Sequence, residues 1–165
     1  MMGDSFKVKL QSNEGEIFKV GVDFARCCEV IKTLLEVVPL EERDEVIPLP
    51  SVDSKILKMV IDWATYHRND EAPPPNIGDF DDLWAEPCAW DADFLKVDNE
   101  TLLKLICAAN YLDIRGLLIL TCKTYTIMVM GKTAEQVRQL FITENGTTPS
   151  ELKTIPFIVF RASSL

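Results

Sequence analysis

Two consecutive helical segments, residues 99–112 and 115–130, carry apolar side chains around almost their whole circumference. A helix that packs on a single core shows an apolar stripe and a polar back. A chain of this size covers only a few of its elements on all sides, because its surface is large relative to its volume. Two interpretations therefore stay open: both helices lie at the centre of the domain, or one of their faces is covered by a partner.

The first part of the chain predicts a small sheet followed by helices. Apolar and polar residues alternate in "FKVKL" (6–10), which predicts a half-buried strand. "SNEGE" has turn chemistry, and "IFKV" (17–20) predicts a returning strand, which makes an N-terminal hairpin. Two short helices are expected at 23–29 and 31–37. The prolines of "VIPLP" (46–50) favour an extended segment, because each proline pushes the residue before it out of the helical region.

Capping residues predict where the later helices begin. A capping side chain accepts a hydrogen bond from one of the first backbone N–H groups of a helix, which have no partner within the helix. The predicted capping residues are Ser51 or Asp53, then Asp98, then Asp113, and finally Thr133, which forms a capping box with Gln136.

The C-terminal tail predicts an interrupted helix and then a strand. Pro149 is a favoured first residue for a helix. Pro156 follows soon after, and proline removes a backbone hydrogen bond and clashes with the preceding turn. A helix that starts at Pro149 is therefore expected to stop by Ile155, and "FIVF" (157–160) predicts a strand.

The acidic composition restricts the partners. The 165 residues carry a net charge of −9, so neither a nucleic acid nor an anionic membrane is expected to bind, because both need a basic surface. No stretch approaches the length of about 20 apolar residues that spans a membrane, and the N-terminus lacks the apolar region of a signal peptide. The five cysteines lack a disulfide framework and predict a reducing compartment, the cytoplasm or the nucleus.

No catalytic, metal or cofactor site is predicted. "GKT" (131–133) ends like a phosphate-binding loop, but that loop needs a glycine where Thr126 stands, and a strand where a helix precedes it. A helix-ending glycine followed by a capping threonine explains the same letters. His67 is the single histidine, which leaves little for a catalytic triad or a histidine-rich metal site. We therefore expect a protein that is not an enzyme and that needs no cofactor.

Several segments, in this order along the chain, closely resemble the Skp family of ubiquitin-ligase adaptors. The similarity runs from about Phe6 to Phe141 and includes an acidic, proline-rich loop at 69–87. The resemblance implies an α+β protein: a POZ (BTB-like) fold over 5–130, and a helical F-box-binding extension over 131–165. The matching segments are "IKTLLE", "VIPLPSVDSKILKMVIDW", "FLKVDNETLLKLICAANYLDIRGLL", "TCKT" and "GKTAEQVRQLF".

The resemblance also implies a function without catalysis. Such adaptors bridge a cullin scaffold and an F-box protein, and the F-box protein carries the substrate that is ubiquitinated and degraded. Asn110 and Tyr111 stand where the family meets the cullin, and partners would then cover the second apolar face of the two helices. The side chains expected to contact the F-box protein are Leu102, Leu103, Ile106, Leu118, Cys122, Tyr125 and Val129.

Departures from the family bear on F-box recognition. Leu103 stands where family members often carry phenylalanine, and Tyr125 where they often carry a smaller apolar residue. The sequence diverges after Phe141, and Pro156 is expected to cut the last helix, which helps to hold the F-box in the family. The alternative hypothesis is a self-associating POZ scaffold that has lost F-box recognition. A weak homodimer is also expected when no F-box protein is bound.

Overall fold

The structure, a computed structural model, describes residues 7–38, 45–69, 87–142, 146 and 149–164. The chain divides into two compact units. The N-terminal unit comprises residues 1–72 and 108–115, and the C-terminal unit comprises residues 73–107 and 116–165. The predicted domain boundary at residue 130 stays a prediction. Apart from Asn69 and Pro87, the predicted acidic loop lies outside the described residues.

The N-terminal unit contains a three-stranded sheet. Its strands are β1 (Lys7–Gln11), β2 (Ile17–Gly21) and β3 (Val46–Pro48), in the order β2–β1–β3. β2 is antiparallel to β1, and β3 is parallel to it. Val8 and Leu10, at alternate positions of β1, are buried. Gly15 turns the hairpin at φ 89°, a conformation that glycine adopts without steric penalty. The predicted hairpin and extended "VIPLP" segment are confirmed.

Helices follow the strands, and the start of one of them is bonded to the hairpin turn. They are α1 (Val22–Cys27), α2 (Glu29–Val37) and α3 (Ser54–Tyr66). Asp53 holds the predicted N-cap position, but its side chain accepts no helix N–H. Its Oδ1 instead accepts a hydrogen bond from Asn13 Nδ2 at 2.7 Å, and the Glu14 carboxylate accepts the Ser54 N–H at 3.3 Å. The turn of the hairpin therefore caps α3.

The C-terminal unit is helical in its described part. Asp98 caps α5 as predicted, because its Oδ2 accepts the Thr101 N–H at 3.2 Å. The predicted capping box is formed: the Thr133 side chain accepts the Gln136 N–H, and the Gln136 side chain accepts the Thr133 N–H. Among the described residues, no helix combines the length and the apolarity that crossing a membrane requires. The elements from residue 89 onward are α4 (Ala89–Phe94), α5 (Asn99–Leu112), α6 (Arg115–Val129), α7 (Ala134–Leu140), a 3₁₀ turn (Ser150–Lys153) and α8 (Ile155–Ser164). The last five residues of α5 and the first of α6 belong to the N-terminal unit.

Asp113 does not cap α6, so that prediction is wrong. Its φ of 53° lies in the left-handed region, and it ends α5 in a Schellman motif. In this motif the Ile114 N–H donates to Ala109 O at 2.9 Å, and the Asp113 N–H donates to Asn110 O at 3.3 Å. Aspartate tolerates this conformation better than most residues do, which explains its place here.

The prediction that "FIVF" forms a strand is also wrong, because these residues lie in α8. Pro156 is the second residue of that helix, where its missing N–H costs nothing, since the first four N–H groups of a helix have no partner within it. The Ile158 N–H donates to Thr154 O at 3.2 Å, which closes the first turn. The 3₁₀ turn that follows Pro149 ends at Lys153, so the predicted stop by Ile155 is confirmed. Pro156 lies in the first turn of the next helix, α8.

Candidate functional site

Asn110 and Tyr111, the residues predicted to contact a cullin, lie in the last turn of α5. The Tyr111 side chain is 45% exposed. Asn110 is half-buried, and its Oδ1 atom is buried without accepting a hydrogen bond from the part of the chain that the structure describes. Such an unsatisfied polar atom is unfavourable. This turn therefore presents an exposed aromatic ring, next in sequence to a residue whose buried carboxamide oxygen lacks a hydrogen-bond donor among the described residues.

The backbone around this turn is fixed by residues at the start of α2. The Cys28 thiol donates a hydrogen bond to Leu112 O at 3.0 Å, and the Glu29 N–H donates to Asp113 O at 3.4 Å. These bonds satisfy carbonyl groups that the end of a helix leaves free. The turn that carries the exposed ring of Tyr111 is thus hydrogen-bonded to the start of α2.

The side chains predicted to contact an F-box protein lie on α5 and α6, and the structure brings all of them into the C-terminal unit. Val129 is half-buried. The other six are at most 6% exposed: Leu102, Leu103, Ile106, Leu118, Cys122 and Tyr125. We call these six residues together with Val129 the α5–α6 surface. In the free chain these six side chains are therefore already covered, although other side chains of the two helices, such as Tyr111 and Ile127, stay exposed.

The end of α7 covers part of the α5–α6 surface. The Phe141 ring stacks on the Tyr125 ring, with 5.8 Å between the centroids and 30° between the planes. The side-chain amide of Asn99 donates to Leu140 O at 2.7 Å and so ties the start of α5 to the end of α7. The sequence reasoning assigned no role to Phe141, since nothing in its local pattern indicates which helix it contacts.

The C-terminal tail supplies further buried side chains. We call residues 149–158 the tail segment. Pro149, Ile155 and Ile158 are buried, whereas Phe157 is 75% exposed. Burial, and to a smaller extent the Glu151 carboxylate, raises the pKa of the Cys107 thiol to about 11. The spacing of three between the two isoleucines was the available signal for a helical face, and the reading of the segment as a strand missed it.

Two apolar side chains near the end of α6 and one after α7 stay exposed. Ile127 and Met130 are three residues apart and so share one helical face. Ile142, the residue after the stacked Phe141, is exposed as well.

Burial makes the thiols of this region unreactive. It raises the pKa of Cys28 and of Cys122 from an ordinary value near 9 to about 12, and that of Cys107 to about 11. The thiolate is the nucleophile and the metal ligand, so a thiol that stays protonated does neither task at neutral pH. Cys107 and Cys122 act as apolar side chains.

Comparisons with known proteins agree with this architecture. Residues 6–69 match the model of the Skp1 family tetramerisation domain, a POZ domain, and residues 115–156 match the model of the Skp1 family dimerisation domain. A Skp1-related protein of Caenorhabditis elegans is 39% identical over 153 residues, which cover 90% of this chain and 87% of the relative.

Two fungal relatives carry a more specific description, "E3 ubiquitin ligase complex SCF subunit sconC". The protein of Talaromyces marneffei is 41% identical over 150 residues, 89% of this chain and 91% of the relative. That of Neosartorya fischeri is 44% identical over 144 residues, 87% of this chain and 90% of the relative.

The sheet, the helices and these matches define an α+β protein with an N-terminal POZ domain, followed by a helical C-terminal domain. The chain belongs to the Skp1 family. The fold class predicted from the sequence and the family resemblance are thereby confirmed.

Proposed function

We propose that this protein is a non-catalytic adaptor that bridges a cullin and an F-box protein in a ubiquitin ligase, and so supports ubiquitination and degradation of the bound substrate. The observation that carries this proposal is the match, over most of both chains, to relatives named as subunits of an SCF ubiquitin-ligase complex. The order of the two Skp1 family domains supports it as well.

The adaptor acts through proximity. Holding a substrate receptor and a scaffold in one assembly raises the effective concentration of substrate near the ligase without any bond formed by the adaptor itself. Asn110 and Tyr111, at the end of α5, serve the cullin, and the α5–α6 surface serves the F-box protein. The aromatic ring of Tyr111 is the type of side chain that dominates binding energy at protein interfaces.

Pull-down experiments with each partner separately test this function. The full chain should retain both a cullin N-terminal domain and at least one member of a panel of F-box proteins. The double variant Asn110→Lys, Tyr111→Lys should lose the cullin and keep the F-box protein. Retention of neither partner by the wild-type chain would contradict the proposal.

A self-associating scaffold is the second candidate function. It is supported by the tetramerisation and dimerisation descriptions of the two family models and by the exposed side chains of Ile127, Met130 and Ile142. Sedimentation velocity over a range of concentrations distinguishes the two candidates. A dimer that forms with rising concentration and binds no F-box protein would favour the scaffold.

We place this protein in the cytoplasm and the nucleus. Its five cysteines are free thiols, which suits a reducing compartment. Imaging of a fluorescently labelled full chain tests the location, and signal confined to a secretory compartment would contradict it.

A further inference from the structure

Three helix ends meet at Cys28. Its backbone ends α1, because the Cys28 N–H donates to Phe24 O at 3.1 Å, and the same residue holds the N-cap position of α2. Its thiol donates to Leu112 O, at the end of α5, at 3.0 Å. The side chain is fully buried. A residue far away in the sequence therefore holds a carbonyl group of the turn that carries Tyr111.

The next residue along the chain adds a second hydrogen bond to the same turn. The Glu29 N–H, at the first position of α2, donates to Asp113 O at 3.4 Å. The first N–H groups of a helix have no partner within that helix, and neither have its last C=O groups. The bond from Glu29 therefore joins such a donor at the start of α2 to a carbonyl group just beyond the end of α5.

The thiol of Cys28 remains a donor at neutral pH. Burial raises the pKa of this thiol to about 12. The thiol therefore keeps the proton that it donates to Leu112 O, and it has no reactive thiolate form in this range.

The turn that receives these two bonds needs support. Asp113 lies in the left-handed region at φ 53°, which is unfavourable for residues other than glycine. The ends of helices fray readily. The ring of Tyr111, one residue before Leu112, is 45% exposed, so its direction follows the backbone of this turn. Two hydrogen bonds from the start of α2 thus favour one orientation of the ring.

We propose that Cys28 is a positioning residue for the cullin contact: together with the Glu29 N–H, its thiol holds the last turn of α5 in the form in which Tyr111 binds. The inference rests on the proposed adaptor function and adds residues outside the contact surface that decide how tightly a cullin binds. Cys28 is fully buried and so acts through Tyr111. A group that is held in its bound geometry before association loses less freedom on binding.

Substitutions at Cys28 in the full chain test the thiol bond. Cys28→Ala removes the donor, whereas the hydroxyl of Cys28→Ser restores one. Ile31→Val is the matched control, because Ile31 is fully buried in α2 and its shortening costs packing without removing a donor. The affinity for a cullin N-terminal domain is measured by titration calorimetry. If one in five molecules keeps the turn formed, Cys28→Ala should bind about fivefold more weakly, and the other two variants within about twofold of the wild type.

A second variant removes the other bond and leaves the core intact. Glu29 is exposed, and proline, which has no N–H, is tolerated at the first position of a helix. Glu29→Gln removes the same charge and keeps the N–H. Glu29→Pro should therefore weaken cullin binding about threefold, while Glu29→Gln should bind like the wild type. This pair tests the positioning of the turn even where Cys28→Ala fails to fold.

Combination with Tyr111→Lys distinguishes positioning from a general loss of stability. If Cys28 acts through Tyr111, Cys28→Ala should weaken cullin binding in the wild-type background and leave it nearly unchanged in the Tyr111→Lys background. A general structural effect lowers the affinity by the same factor in both backgrounds. Urea denaturation of each variant shows that folded chains are compared.

The outcomes separate this inference from the function beneath it. Weaker cullin binding by Cys28→Ala, its recovery in Cys28→Ser and the absence of an effect beside Tyr111→Lys support the positioning role. An equal loss in Ile31→Val, or unchanged affinity in both Cys28→Ala and Glu29→Pro, overturns that role and leaves the adaptor function standing. Absence of cullin binding by the wild-type chain overturns the adaptor function and the positioning role together.

Discussion

The substitution Tyr111→Lys should separate binding from folding. The Tyr111 side chain is 45% exposed, and a tyrosine side chain has about 200 Å² of surface. A cullin that covers the exposed part removes about 90 Å² from water, which at about 25 cal/mol per Å² is worth about 2 kcal/mol. Loss of this contribution corresponds to about a 30-fold rise in the dissociation constant.

Tyr66 provides a matched control, since it is 51% exposed in the same unit. Tyr66→Lys adds the same charge to an acidic chain, so general electrostatic effects are shared by both variants. Titration of a cullin N-terminal domain by calorimetry should give about a 30-fold loss for Tyr111→Lys and a change within about threefold for Tyr66→Lys.

Lysine keeps an aliphatic stem over the buried part of the site, so Tyr111→Lys should lower the free energy of unfolding by only about 1 kcal/mol. Equal loss of cullin affinity in both variants, or no loss in Tyr111→Lys, would refute the assignment of this turn as the cullin contact.

Three further predictions concern local structure and pH. Asp113→Val should lower the free energy of unfolding by about 1–2 kcal/mol, because a β-branched residue resists the left-handed region, whereas Asp113→Gly should not lower it, and urea denaturation measures both. Thr133→Ala removes the capping side chain and should lower the unfolding free energy by about 1 kcal/mol, again by urea denaturation, while Lys132→Ala should leave it nearly unchanged. The raised pKa values of Cys28 and Cys122, about 12, mean that the unfolded chain loses thiol protons near pH 9 while the folded chain keeps them. The stability that the two protonated thiols give the folded chain is fully present below about pH 9 and is lost as the pH rises toward 12. The guanidinium concentration at the unfolding midpoint should therefore decrease when the pH is raised from 8 to 10.5, and it should decrease less when both cysteines are replaced by alanine.

Short-range patterns predicted much of the fold. The hairpin follows from alternation and a glycine-containing turn, and the capping box of Thr133 and Gln136 follows from their spacing. Both depend on neighbours within a few residues. The parallel pairing of β3 with β1 joins segments far apart in sequence, and alternation within one strand carries no information about its partner.

Two of the wrong predictions, the capping of α6 by Asp113 and the strand at 157–160, have a common physical origin. Asp113 and Pro156 were each assigned the most frequent role of their residue type, helix start and helix stop. In the structure Asp113 ends α5 because the chain turns there, and Pro156 lies in the first turn of α8, where its missing N–H is harmless. In each case the position relative to a helix end decides the role, and the sequence leaves helix ends uncertain.

The apolar side chains around α5 and α6 show what a sequence pattern can predict and what it cannot. The pattern indicated that apolar faces of both helices must be buried, but it did not indicate which residues or which partner bury them. In the free chain the cover includes Phe141, which stacks on Tyr125, and the buried Ile155 and Ile158 belong to the tail that follows. The contacts assigned to the cullin and to the F-box protein stay predictions.

The most direct test of the adaptor function is a sedimentation velocity experiment on a mixture of a cullin N-terminal domain, an F-box protein and this chain. The account predicts one species containing all three proteins, and no association of the cullin with the F-box protein when the chain is left out. A mixture in which the chain binds one partner and never both, even at concentrations well above each separate dissociation constant, would contradict the account.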